Sequence, residues 1–124
     1  MKNIITLVIL ITAMACNSVG QSDNTEVKVL NKTEFSAKLN SLEEFTLIDV
    51  RTENEFNNGS IEGALNYNIL DGTFDKEIAK LDKTKPVLVF CAVGGRSGKA
   101  RKKLESLGFK TVYDLKGGYN TWIK

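Results

Sequence analysis

The sequence predicts an α/β domain built on a parallel sheet with helices on both faces. Three observations carry this reading. The runs "FTLIDV" (45–50) and "PVLVF" (86–90) are almost continuously apolar, as strands buried on both faces are. Segments of helical period separate the strand-like runs along the chain, and such alternation favours parallel strands joined by crossovers. The length of 124 residues, 42% hydrophobic and 26% charged, suits one domain with one core.

The elements follow in order. "VKVL" (27–30) reads as an edge strand. "KTEFSAKLN" (32–40) reads as a short helix, with Thr33 as the expected N-cap and Phe35 and Leu39 four apart. "FTLIDV" is a buried strand ending at a carboxylate. Thr52 and Glu55 have the spacing of a capping box, so a short helix follows, stopped by Gly59. "GALNYNI" (63–69) is the next strand candidate. "TFDKEIAKL" (73–81) places Phe74, Ile78 and Leu81 on one helical face. "PVLVF" carries its proline at the strand start, where it is tolerated. Residues 97–107 form a helix with Ala100, Leu104 and Leu107 on one side and Gly108 as the stop. "KTVYDL" (110–115) is the last strand, and "GGYNTWIK" closes the chain.

Residues 1–15 differ from the rest. One lysine precedes an apolar run from Ile4, and small residues end at Ala15, the pattern of a secretory signal peptide. The run is short for a membrane span, though an uncleaved anchor is the alternative. "TAMAC" (12–16) resembles a bacterial lipobox, with Ala13 where leucine is more usual. On that reading Cys16 is lipidated and becomes the mature N-terminus, and a second acyl chain makes the anchor stable. Plain cleavage after Ala15 is the rival. Residues 16–26 are polar and aperiodic, a flexible tether, leaving 27–124 as the domain. The expected location is the periplasmic side of a bacterial membrane. Asn17 and Ser18, with no aspartate, resemble sorting patterns for the outer membrane.

With Cys16 assigned to export, Cys91 has no intramolecular disulfide partner. It follows "PVLVF" directly, and ligands in α/β sheets bind at the carboxyl ends of strands. The next residues, "AVGGRS", include two glycines that permit a tight turn. Such a loop, opening into a helix N-terminus, turns amides inward as a nest for an anion, and a thiolate is such an anion. Arg96 adds a charge and a fork for oxyanions, and Ser97 a hydroxyl donor to sulfur. A bland reading, a core cysteine at a strand end, fits Cys91 alone. The grouping of Cys91, Gly94, Gly95, Arg96 and Ser97 favours a reactive site.

Several classes are excluded. The chain has no histidine, so Cys–His catalysis and histidine metal sites are ruled out. It has no C-x-x-C pair, and "GGRSGKA" lacks the phosphate-loop spacing, with Ala100 where a hydroxyl is needed. A net charge of +2 with both signs interspersed gives no sign of nucleic-acid binding. The lysine-rich "KARKK" (99–103) reads as a solvated helix face.

Three blocks carry a family resemblance. "LIDVRTENEFNNGSIEGALNYNI" resembles the D-V-R…E-[FY]-x-x-G-H-I-x-G-A block of single-domain rhodaneses, "CAVGGRS" their active loop, and "DLKGGYNTW" their closing L-x-G-G-x-x-x-W. The resemblance implies a five-stranded parallel sheet flanked by helices and sulfurtransferase activity. Cys91 would attack the sulfane sulfur of a donor such as thiosulfate, release sulfite and hold a persulfide. A thiophilic acceptor, cyanide or a cellular thiol, would take the sulfur. The amides of Ala92, Val93, Gly94, Gly95, Arg96 and Ser97 would stabilise the persulfide and incoming charge. Arg96 would hold the donor's oxyanion or brace the loop. Asp49, Arg51 and Glu55 would serve as structural support, through capping and ion pairing. No cofactor or metal is expected, and the small chain with mixed surface charge suggests a monomer.

The loop from Cys91 to Arg96 spells C-x4-R, one residue shorter than in the related phosphatases and arsenate reductases. Ser60 stands where the family usually has histidine. Ala92 stands where some thiosulfate-using members carry a cation. A non-catalytic carrier or protein-binding module of the same fold is the second reading.

Overall fold

A computed structural model describes residues 24–124. The signal peptide, Cys16 and most of the expected tether therefore lie outside the described residues. No helix among those described is long and apolar enough to cross a membrane.

The strands are β1 (Glu26–Leu30), β2 (Thr46–Asp49), β3 (Leu65–Asn66), β4 (Val87–Phe90) and β5 (Thr111–Leu115). The helices are α1 (Lys32–Ser41), α2 (Glu53–Asn57), α3 (Thr73–Ile78), α4 (Gly95–Ser106) and α5 (Gly118–Trp122). All five strands are parallel, in the order β1-β5-β4-β2-β3. The expected parallel α/β sheet with helices on both faces is the fold observed, and "VKVL" does lie at an edge.

Strand alternation divides the core into two layers. Val87, Val89, Ile48 and Val112 face Phe74 and Ile78 of α3 and Ala100 and Leu104 of α4. Leu88, Phe90, Leu47 and Tyr113 face Phe35 of α1, with Tyr119 and Trp122 of α5 packed against them. Cys91 continues the alternation of Val87 and Val89, so its side chain belongs to the α3/α4 layer.

Four details differ from the sequence reading. Asn31, not Thr33, caps α1, because its side chain accepts from the Glu34 amide at 2.9 Å while Glu34 reaches back to the Asn31 amide. The strand expected over 63–69 shrinks to Leu65–Asn66, since only Ile48 and Asp49 pair with it. Residues 117–124 hold α5, too short to show a helical period. β1 begins at Glu26, the last residue assigned to the tether, whose carboxylate accepts from the Tyr113 hydroxyl at 2.7 Å.

Candidate active site

β4 is the middle strand of the sheet, and its carboxyl end delivers Cys91 to the centre of one edge. Cys91 is only 1% exposed and has no disulfide partner among the described residues. The chain then turns through Ala92 and Val93 to Gly94, whose φ of 114° requires glycine, and enters α4 at Gly95. The expected helix start at Ser97 is thus two residues late. Only one of the two glycines supplies the turn, because Gly95 lies inside the helix and does not carry positive φ.

The Gly94 amide donates to Cys91 Sγ at 3.0 Å. The amides of Gly95, Arg96 and Ser97 occupy the first turn of α4, where no intrahelical acceptor exists. The loop's outward carbonyls are held from outside. Tyr119 N donates to Cys91 O at 2.7 Å, and Asn120 N donates to Ala92 O at 3.1 Å. The amino end of α5 thereby fixes which way these peptide planes face. Gly118 makes the approach possible, since a Cβ there would meet Ala92 and Cys91 backbone atoms at 2.5 Å.

Ser97 behaves differently from the expected sulfur donor. Its hydroxyl donates to Gly94 O at 3.2 Å, and the Cys91 thiol is aimed at Ser97 Oγ across 3.5 Å. Below it, strand alternation places Asp114 of β5 on the α4 side. Arg101 Nη1 donates to Asp114 Oδ2 at 2.8 Å, while Oδ1 is buried with no hydrogen-bond partner among the described residues. Burial raises the Asp114 carboxyl above its ordinary value, against the pull of Ser97 and Arg101. The sequence reading missed Asp114. Its signal was a carboxylate at an inward position of an otherwise apolar strand.

Arg96 does not stand free at the loop. Its Nη1 donates to Glu55 Oε1 at 2.7 Å and its Nη2 to Oε2 at 2.9 Å, a bidentate pair. Glu55 is itself held by the expected capping box of α2. Its Oε1 also accepts from Thr52 N at 3.3 Å and Thr52 Oγ1 at 3.1 Å. The hydrogen bonds from Arg96 above all, aided by Thr52 and opposed by burial, draw the Glu55 carboxyl down to about 2. The same pairing raises Arg96.

Asp49 and Arg51 form a separate, buried unit. Arg51 Nη2 donates to Asp49 Oδ2 at 2.7 Å and to Gly59 O at 2.7 Å. Its guanidinium carbon lies 4.4 Å from the Tyr119 ring centroid. Ser60, at the position where histidine is usual, donates to Asp49 Oδ2 at 2.8 Å. Asn66 ties β3 to this knot by donating to the carbonyls of Asp49 and Arg51. The expected support group thus splits: Asp49 and Arg51 fasten the exit of β2, whereas Glu55 belongs to the cysteine loop.

A parallel sheet with a cysteine under a glycine-turned amide loop at its carboxyl edge defines a class of protein, and comparisons identify it. Residues 31–124 match the Rhodanese-like domain, and the chain belongs to the rhodanese-like family. It is 38% identical over 76 residues to Thiosulfate sulfurtransferase GlpE of Shewanella oneidensis, covering 61% of this chain and 73% of that protein. It is 40% identical over 79 residues to tRNA uridine(34) hydroxylase of Pelagibacter ubique, covering 63% of this chain but only 26% of that longer protein. Among solved structures, a rhodanese-like domain protein from Staphylococcus aureus superposes with a TM-score of 0.68 at 27% identity, covering 77% of this chain and 90% of that one.

Proposed function

We propose that this protein is a sulfurtransferase that carries a sulfane sulfur as a persulfide on Cys91. The observation that carries the proposal is the Gly94 amide 3.0 Å from Cys91 Sγ, inside a loop whose other first-turn amides lack helical acceptors. Relatives named as sulfurtransferases support the same general activity.

The thiolate of Cys91 attacks the terminal sulfur of a donor, thiosulfate being the simplest. The Sγ–S bond forms as the donor's S–S bond breaks, and sulfite departs with the electron pair. The persulfide anion then occupies the amide nest, which stabilises its charge as an oxyanion hole does. A thiophilic acceptor attacks the outer sulfur and returns the thiolate. Cyanide serves in the assay and a cellular thiol in the cell. No histidine is needed, because no proton must be moved from a poor leaving group. Arg96, tied to Glu55, braces the loop, and Ser97 holds Gly94 from within. The six residues from Cys91 to Arg96 favour a sulfur atom over the tetrahedral oxyanion of a phosphatase.

The burial of Cys91 favours one second reading, a carrier that is loaded but turns over slowly. Thiocyanate formation from thiosulfate or an organic persulfide and cyanide separates the two. The enzyme reading predicts multiple turnovers with at least one of the donors, abolished in Cys91→Ser. A single stoichiometric transfer with each would establish the carrier. The proposed setting is the periplasmic side of a bacterial membrane, with Cys16 lipidated and the domain monomeric. Cys16→Ala is expected to release the protein from membranes, and unchanged retention would refute that anchor.

A further inference from the structure

The cysteine loop holds one side-chain cation, and the fold has already assigned its charge. Both terminal nitrogens of Arg96 face Glu55, at 2.7 and 2.9 Å. Glu55 is pinned in turn by Thr52, so the pair is clamped between α2 and α4. Elsewhere on the loop, Ala92 is uncharged and Val93 is 67% exposed. Beside α2, Glu53 and Asp71 line a hollow of about 330 Å³, adding carboxylates at the same end of the sheet.

These features discriminate between donors. Thiosulfate is a dianion whose sulfonate oxygens lie beyond its sulfane sulfur. With that sulfur at the buried Sγ, the oxygens fall toward the rim, which offers Val93 and a neutralised arginine. An organic persulfide, R–S–SH, is neutral or, once ionised, carries its one charge on the transferred sulfur itself, where the amide nest lies. Its carbon substituent can rest against Val93.

We propose that Glu55 is a specificity-determining residue, which by closing Arg96 into an ion pair tunes the loop toward the persulfide of an organic thiol and away from thiosulfate. The inference rests on the reading of Cys91 as a sulfur carrier. In the step it implies, Cys91 thiolate attacks the outer sulfur of R–S–SH. The Sγ–S bond forms, the donor's S–S bond breaks, and RS⁻ leaves with the electron pair and takes a proton from water. The outer sulfur keeps its hydrogen or loses it to solvent, so no outside oxidant or reductant enters.

The test is steady-state sulfur transfer to cyanide by the full-length protein, with cysteine persulfide and with thiosulfate as donors. Wild type is expected to show kcat/KM at least about a hundredfold higher for the persulfide. Glu55→Gln keeps an acceptor for Thr52 but removes the charge. It is expected to lower the thiosulfate KM about tenfold and to raise the ratio of thiosulfate to persulfide kcat/KM by about the same factor. The gain should fade as salt is raised. A residue with a merely structural role would instead depress both donors together, and that result would overturn the proposal. Equal use of both donors by wild type would overturn it without any variant. If neither donor places a sulfur on Cys91, the sulfurtransferase reading itself fails, and the inference with it.

Discussion

At the residue scale, the cysteine loop depends on which glycine makes the turn. Gly94 has φ of 114°, and a Cβ there would find its nearest neighbour beyond the adjacent residues, Gly117 N, at an ordinary 3.9 Å. The cost of Gly94→Ala therefore comes from backbone strain, about 1–2 kcal/mol by denaturant unfolding. Gly95 begins α4 with open space around it, so Gly95→Ala is expected to leave stability unchanged or raise it by up to about 0.5 kcal/mol. Equal losses from the two would contradict this assignment. Glu55 makes a second prediction. Its folded value of about 2 lies below its ordinary 4.5, so ionised Glu55 stabilises the fold above pH 4.5. That contribution is lost as pH falls toward 2. The urea midpoint of wild type should exceed that of Glu55→Gln near pH 6 and converge with it near pH 2. The loop's residues were legible because they are contiguous in sequence. The Glu55–Arg96 pair was not, because its partners lie 41 residues apart and each had a sufficient local role, one as a cap and one as a loop cation.

At the element scale, α5 is the clamp that orients the loop. Its amino end donates from Tyr119 and Asn120 to Cys91 O and Ala92 O. Gly118 sits at φ of 63° with backbone 2.5 Å from where a Cβ would stand. Gly118→Ala must push α5 off the loop, at an expected cost of at least about 2 kcal/mol, with a slower sulfur-loading rate at Cys91 in protein that remains folded. Retained loading at wild-type rate would show that the clamp does not set the loop's geometry. The closing "GGYNTW" was recognisable as a family block. Its helix was not, because five residues carry too little periodicity, and its contact with residue 91 is long-range. The strand over 63–69 was overextended for a related reason. Apolar alternation continues past Asn66, while the partner strand ends at Asp49.

At the scale of the whole molecule, two layers meet at the sheet, and the buried Asp49–Arg51 pair fastens the exit of β2 to Gly59, Ser60 and Asn66. Removing one partner strands the other charge in the core. Arg51→Met is expected to cost about 3–5 kcal/mol, visible as a lowered melting temperature. The double variant Asp49→Asn/Arg51→Met should recover part of that loss, and a double variant as unstable as the single one would contradict the pairing. The sheet, its two helical faces and the place of Cys91 were legible because apolar runs and helical periods report burial directly. Asp114 escaped notice because a strand's register, which puts it beneath Ser97, is fixed by its neighbours rather than by its own residues.

Intact mass spectrometry of the full-length protein after exposure to thiosulfate or cysteine persulfide shows whether Cys91 carries sulfur. The expected result is the gain of one sulfur atom with at least one donor, removable by dithiothreitol and absent in Cys91→Ser. No gain with either donor, in protein whose thiol is intact, would contradict it.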